Sequence, residues 1–369
     1  MHPILKATHD LGQSVWLDFI SRELMDSGQL SRLMADGLWG MTSNPTIFQQ
    51  AIAESSAYDP DIEKGLEREE NAAQIFEHIA VADVARAADI IRPVYEQSQG
   101  SDGYVSIEVS PPTAYDTQAT IDEARRLWKS VNRPNVMVKI PGTDAGLPAI
   151  RSMLAEGLNI NITLLFSLDQ YRQVVEMHLQ AMEERSKAGK PLERIASVAS
   201  FFVSRVDNSV DKQLTEKGRK DLTGKAAVAN ACLAYRHFQE ITSSERWKAL
   251  AKKGAKVQRP LWASTSTKNP EYSDILYVQE LIAADTVNTM PPKTLDAFKD
   301  HGQPQQSLLK NLRTADDVLR AIRDAGVDFD RAVFELIEDG VKKFAESYDK
   351  VIAAIDEKAR AKAQKRHRD

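Results

Sequence analysis

Short runs of apolar, strand-prone residues recur along the chain, and between them lie longer stretches in which apolar residues return every third or fourth position. Eight short runs stand out: VWLDF (15–19), GLWGMTS (37–43), YVSIEVS (104–110), VMVKIPG (136–142), LNINITLLF (158–166), IASVASFFV (195–203), LWASTS (261–266) and DTVNTMP (285–291). The intervening stretches read as amphipathic helices. In QATIDEARRLWKSV (118–131), Ile121, Ala124, Leu127, Trp128 and Val131 fall on one face. LDQYRQVVEMHLQAMEERSKAG (168–189) closes on lysine and glycine, a common helix ending. Strands that alternate with helices imply a parallel sheet, and eight such strands are the count of a (β/α)8 TIM barrel. A doubly wound open sheet is the second architecture compatible with the pattern.

The spacing adds detail. About sixty residues separate the second and third runs, room for at least two helices, the clearest being 74–98. A similar interval follows the sixth run. We therefore expect a single barrel domain over 1–369 with helical insertions at about 45–100 and 208–256, and C-terminal helices at about 315–366. No Ser/Gly/Pro-rich linker divides the chain. The last twelve residues, KARAKAQKRHRD, carry six Lys or Arg, which a solvated helix end with favourable charge for its dipole accounts for.

Polar residues interrupt the apolar runs where a barrel's active site forms, at the C-terminal ends of the strands. They are Asp18, Asn44, Glu108, Lys139, Asn161, Thr163, Ser200 and, closing the seventh run, Ser266, with Lys268 just beyond. Each has an ordinary structural explanation: Lys139 snorkels past a strand end closed by Pro141–Gly142, Asn44 before Pro45 marks a turn, Asp18 caps a helix. Collected on one lumen they favour a site, because buried amides and carboxylates need partners. A desolvated lysine beside carboxylates is the equipment of carbonyl chemistry through a Schiff base.

Composition narrows the alternatives. The chain has 369 residues, 42% hydrophobic and 27% charged, with a net charge of -5. That acidity argues against nucleic acid or an anionic membrane as principal partner. A single cysteine, Cys232, leaves no intramolecular disulfide and no cysteine zinc cluster. The seven histidines are scattered away from the strand ends, which disfavours a histidine metal site or a Ser/His/Asp triad, and no P-loop or GxGxxG motif occurs. We expect no metal or organic cofactor. The N-terminal segment lacks the apolar core of a signal peptide and no run approaches a bilayer span, so the expected location is the cytoplasm.

Five segments, in order, resemble the transaldolase family in its long bacterial form. They are GMTSNPTIF (40–48), VMVKIPGT (136–143), GLNINITLLFS (157–167), SVASFFVSRVD (197–207) and WASTSTKNPEYSD (262–274). The resemblance spans roughly residues 10 to 350 and implies a (β/α)8 barrel of the class I aldolase kind. It further implies that Lys139 condenses with the C2 ketone of a ketose phosphate and that Asp18 takes the C4 hydroxyl proton. Glu108, with a water held by Thr163, would serve carbinolamine dehydration. Asn44, Asn161 and Ser200 would hold the dihydroxyacetone unit, and Arg205 and Ser266 the distal phosphate. The sequence departs from the shorter forms twice: Lys268 stands where they carry a second phosphate-binding arginine, and Ser110 where they carry an aspartate.

Transfer of a dihydroxyacetone unit between sugar phosphates is the implied activity. An aldolase releasing free dihydroxyacetone and a non-catalytic sugar-phosphate-binding barrel are the alternatives. Partners are expected to be sugar-phosphate substrates, with the chain acting as monomer or homodimer, its C-terminal helices covering either its own mouth or a partner.

Overall fold

A computed structural model describes residues 1–366. Eight parallel strands close into a barrel in sequence order. They are β1 (Gln13–Asp18), β2 (Gly40–Thr42), β3 (Tyr104–Glu108), β4 (Val136–Pro141), β5 (Ile160–Leu165), β6 (Ser197–Phe202), β7 (Gln258–Ala263) and β8 (Thr286–Met290). Closure pairs the first strand with the last, from Gln13 opposite Thr286 to Leu17 opposite Met290. All eight apolar runs overlap a strand, and the closure of β1 on β8 excludes the open sheet.

Strand periodicity sorts the side chains into two cores. Val15, Leu17, Val105, Ile107, Val138, Ile140, Ile160, Ile162 and Phe201 point outward into the large core shared with the helices. Alternate residues Trp16, Tyr104, Met137, Val198, Leu261 and Val287 point inward and form a separate apolar plug. Two residues further along these strands the inward positions become polar, among them Asp18, Ser106, Lys139 and Ser200. The lumen is thus a packed floor beneath a polar chamber.

The floor is pinned electrostatically. Asp102, 4% exposed, accepts hydrogen bonds from Trp16 Nε1 at 2.6 Å, from Arg259 Nη1 at 3.0 Å and from the Ser14 hydroxyl. Trp16 lies against Gly40, where a Cβ would fall 2.4 Å from the indole ring. With the indole held by Asp102 there is no easy retreat. Gly40→Ala is therefore expected to cost about 1–3 kcal/mol of overpacking, read as a lower denaturant midpoint.

The expected helices form, and local signals explain their ends. Thr117–Val131 starts at Asp116, whose carboxylate accepts from Ala119 N, and stops at Asn132 in the left-handed region. Leu168–Lys187 opens with a reciprocal capping box between Ser167 and Gln170. The first insertion holds three α-helices, Pro45–Glu54, Asp59–Glu67 and Ala72–Gln97, one more than the minimum expected. The interval after β6 holds Ser204–Glu216, Ala226–Ser243 and Glu245–Ala251.

Helices Ala315–Asp324 and Phe329–Arg366 make up the C-terminal region. The long Phe329–Arg366 helix packs on Pro45–Glu54, Asp59–Glu67, Ala72–Gln97 and Ser204–Glu216, so it straps the barrel's own mouth. Its basic end is not merely solvated. Lys358 pairs with Asp59 at 3.1 Å and Lys362 with Glu63 at 2.6 Å, while the last three residues of the basic run lie outside the described residues. No helix among the described residues is long and apolar enough to cross a membrane.

Candidate active site

Lys139 is not at a strand end. It is the fourth residue of β4, which continues through Ile140 and Pro141, and its parity with Met137 turns it into the lumen above the apolar plug. The side chain is 8% exposed. Its Nζ donates to Glu108 Oε2 at 3.2 Å and to the Ser43 carbonyl at 3.4 Å. Glu108 is brought there by register, since it lies directly opposite Lys139 on β3. The snorkelling explanation fails because the amine is held inside.

Two carboxyls share the chamber with this amine. Burial pushes Glu108 up to about 6, against the pull of the Lys139 charge and its hydrogen bond, with Asp18 adding to the upward push. Asp18 ends β1, and desolvation raises its carboxyl too, opposed by Lys139 and by the Thr42 hydroxyl, which donates to Oδ1 at 2.7 Å. Thr42 also meets the Thr289 hydroxyl at 2.7 Å, tying Asp18 across the β1–β8 seam. With its carboxyl at about 6 beside a buried amine, Glu108 can exchange protons near neutral pH.

On β5 and β6, Ser200 donates to Asn161 Oδ1 at 2.7 Å and Asn161 donates to Ser106 at 3.0 Å. Asn161 is fully buried beside Lys139 in the β4–β5 register and does not line the cavity, whereas Ser200 does. Thr163 lines it as well, and its buried hydroxyl has no protein partner. The pairing of β5 with β6 slips between Ile162 and Leu165, where Leu164 adopts φ +61°. This bulge at the rim leaves the Thr163 hydroxyl free for a ligand or water.

These groups open into a cavity of about 430 Å³. Asn44 lines it while its carbonyl oxygen caps the helix Pro45–Glu54 at Ile47 N, so the turn role and a place in the site coexist. Arg205, Ser266 and Lys268 line another part of the wall. Arg205 sits in the first turn of Ser204–Glu216 with its guanidinium 5.5 Å from the Phe202 ring. One guanidinium nitrogen is buried without a partner, and desolvation holds the group below its ordinary value. Such a cation is suited to an anionic ligand.

Other lining residues were not anticipated from sequence. Ser264 holds a left-handed backbone at φ +55° and shares a hydroxyl contact of 2.9 Å with Ser204, joining the β7 loop to the helix that carries Arg205. Gly340, Lys343, Phe344 and Ser347 come from the strap helix. A Cβ at Gly340 would meet Leu164 at 3.2 Å and Phe166 at 3.3 Å, so glycine there permits the helix's close approach to β5. Ser110 donates at 2.7 Å to Glu123 on Thr117–Val131, a carboxyl that burial raises, and both line a smaller cavity together with Glu108.

Fold and chamber together define a (β/α)8 barrel with a lysine-centred polar site at the C-terminal ends of its strands. The family model described as Transaldolase/Fructose-6-phosphate aldolase matches residues 15–355, and the chain belongs to that family. It is 47% identical over 356 residues to a transaldolase of Thermobifida fusca, covering 95% of this chain and 97% of that protein. A transaldolase 2 of Nostoc punctiforme is 44% identical over 362 residues, covering 94% and 95% of the two chains. A transaldolase of Thiobacillus denitrificans is 44% identical over 356 residues, covering 95% and 99%.

Proposed function

We propose that the chain is a transaldolase that moves a dihydroxyacetone unit from sedoheptulose 7-phosphate to glyceraldehyde 3-phosphate, giving erythrose 4-phosphate and fructose 6-phosphate. The observation that carries the reading is the buried Lys139 amine, 3.2 Å from a carboxyl of raised pKa in a barrel chamber. Near full-length similarity to transaldolases supports the same activity. We read the chain as one barrel domain whose helical insertions and strap serve this single site.

The amine adds to the C2 ketone after giving a proton to Glu108, and the resulting carbinolamine loses its oxygen as water when Glu108 returns a proton to it. The product is a protonated imine on Lys139. Asp18 then takes the C4 hydroxyl proton, the C3–C4 bond breaks, and its electron pair flows into the imine to give an enamine. The first aldehyde leaves. An acceptor aldehyde takes the electron pair back at C3 while Asp18 returns its proton to the new hydroxyl, and hydrolysis of the imine frees the new ketose. Thr163 holds the water exchanged at C2, Asn44 and Ser200 bind hydroxyls of the three-carbon unit, and Asn161 holds Ser200 in place. Arg205, Ser266 and Lys268 face the phosphate. A chamber that excludes bulk water strengthens the hydrogen bonds to the enamine.

Borohydride reduction in the presence of fructose 6-phosphate, followed by peptide mass spectrometry, tests this directly. A dihydroxyacetone adduct is expected on Lys139 and on no other lysine. Binding of the sugar phosphate without an adduct would sink the Schiff-base reading. The family description covers both transferase and aldolase, so the product is measured with and without an acceptor aldehyde: rapid formation of free dihydroxyacetone with acceptor present would favour the aldolase.

A further inference from the structure

Lys268 departs from arginine in the proposed phosphate wall, and its ammonium binds as a point charge without the bidentate fork. Arg205 supplies a fork but leaves one nitrogen buried and unpaired. The strap helix brings a third cation to the same cavity, Lys343. Its Nζ lies 2.6 Å from Asp339, one helical turn earlier. Asp339 is also the acidic group whose charge acts on Arg205. The helices Phe329–Arg366 and Ser204–Glu216 pack together, so Asp339 acts on both cations, by its ion pair with Lys343 and by its charge on Arg205.

We propose that Lys343 is a phosphate-binding residue that completes the Arg205–Lys268 wall, and that Asp339 stands in for the phosphate while the site is free. The inference rests on the transaldolase reading and deepens it by assigning discrimination for phosphorylated sugars to the strap helix. Three cations, Arg205, Lys268 and Lys343, line one cavity, and Asp339 offsets the charge of two of them, which leaves an excess of positive charge suited to a phosphomonoester dianion. The carboxyls that line the cavity, Asp18 and Glu108, belong to the lysine set, and Asp339 precedes the lining residues Gly340 and Lys343 on the strap helix. When phosphate enters, its oxygens take the hydrogen-bond directions that Asp339 occupies on Lys343, and Asp339, already partly exposed, turns to solvent. Lys343 is itself 55% exposed, so substitution there leaves the packed core untouched. No covalent step is involved. The strap helix thereby reads whether the sugar carries its phosphate.

The experiment compares kcat/KM for fructose 6-phosphate with kcat/KM for fructose, with erythrose 4-phosphate as acceptor, and measures inhibition by inorganic phosphate. Lys343→Met is expected to lower the ratio about tenfold and to weaken phosphate inhibition by a similar factor, the scale of one lost charge-assisted hydrogen bond. Lys343→Arg should hold the ratio within about twofold, because charge and donors remain. Asp339→Asn should strengthen phosphate inhibition, since it removes the competing carboxylate. A wild-type protein that discriminates between the two sugars, with the ratio unchanged in Lys343→Met, overturns the role of Lys343 and leaves the phosphate reading standing. A wild-type protein that does not discriminate overturns both. Weaker phosphate inhibition in Asp339→Asn overturns the stand-in role.

Discussion

Lys139→Met is expected to abolish transfer, with a loss on the order of 10⁴-fold or more, exceeding what removal of a positioned acid or base costs. The reason is chemical: without the amine there is no imine, and electrons from the C3–C4 bond have nowhere to go. Methionine keeps most of the lysine's apolar stem in the slot between Glu108 and the apolar plug, so the barrel should still assemble. Activity and the borohydride adduct should vanish together while the circular dichroism spectrum is retained. Residual transfer within about a hundredfold of wild type would show that another group carries the reaction. Removal of the neighbouring cation should also raise the Glu108 carboxyl further above about 6, because the Lys139 charge is the first influence opposing burial.

Glu108→Gln is expected to lower kcat/KM by about 10²-fold or more, and to do so unevenly with pH. Above about 6 Glu108 is ionised and able to take the proton from Lys139. In the free enzyme kcat/KM should therefore rise as pH increases through about 6, and this limb should disappear in the amide variant. Stability should move the other way. A carboxyl raised from 4.5 to about 6 binds its proton more tightly in the folded chain than in the unfolded one. Its contribution to stability is thus fully present below pH 4.5 and is lost as pH rises through about 6. At pH 8 the ionised group costs on the order of 2 kcal/mol, which glutamine removes. Loss of the Lys139 partner offsets part of this, so the variant should be at least as stable as wild type at pH 8. A variant that is less stable and retains the low-pH limb would assign the titration to another group.

The barrel was legible in sequence because its strands are buried on both sides, so each appears as an apolar run rather than an alternation. The chamber was legible for the converse reason: Lys139, Asn161 and Ser200 are polar residues inside those runs. Strand limits were less visible. β7 begins at Gln258, three residues before the expected run, since Arg259 and Pro260 both read against a strand. Arg259 is tolerated inside because it meets Asp102, a residue 157 positions away, and no local pattern announces such a pairing. The free hydroxyl of Thr163 depends on the backbone of Leu164, whose left-handed conformation an ordinary leucine gives no reason to expect. Lys343 was hidden differently. An amphipathic helix reveals that it must cover something, and only tertiary contacts reveal that it covers this chamber.

The joining of β1 to β8 has a consequence in time. Gln13 and Thr286 cannot meet until nearly the whole chain is in place, and contacts between such distant positions are slow to form. The Thr42–Thr289 contact that steadies Asp18 crosses that same seam. During refolding, helices and neighbouring strands should therefore regain their spectroscopic signals before bond-cleaving activity returns, and the return of activity is itself a clock for the last act of assembly.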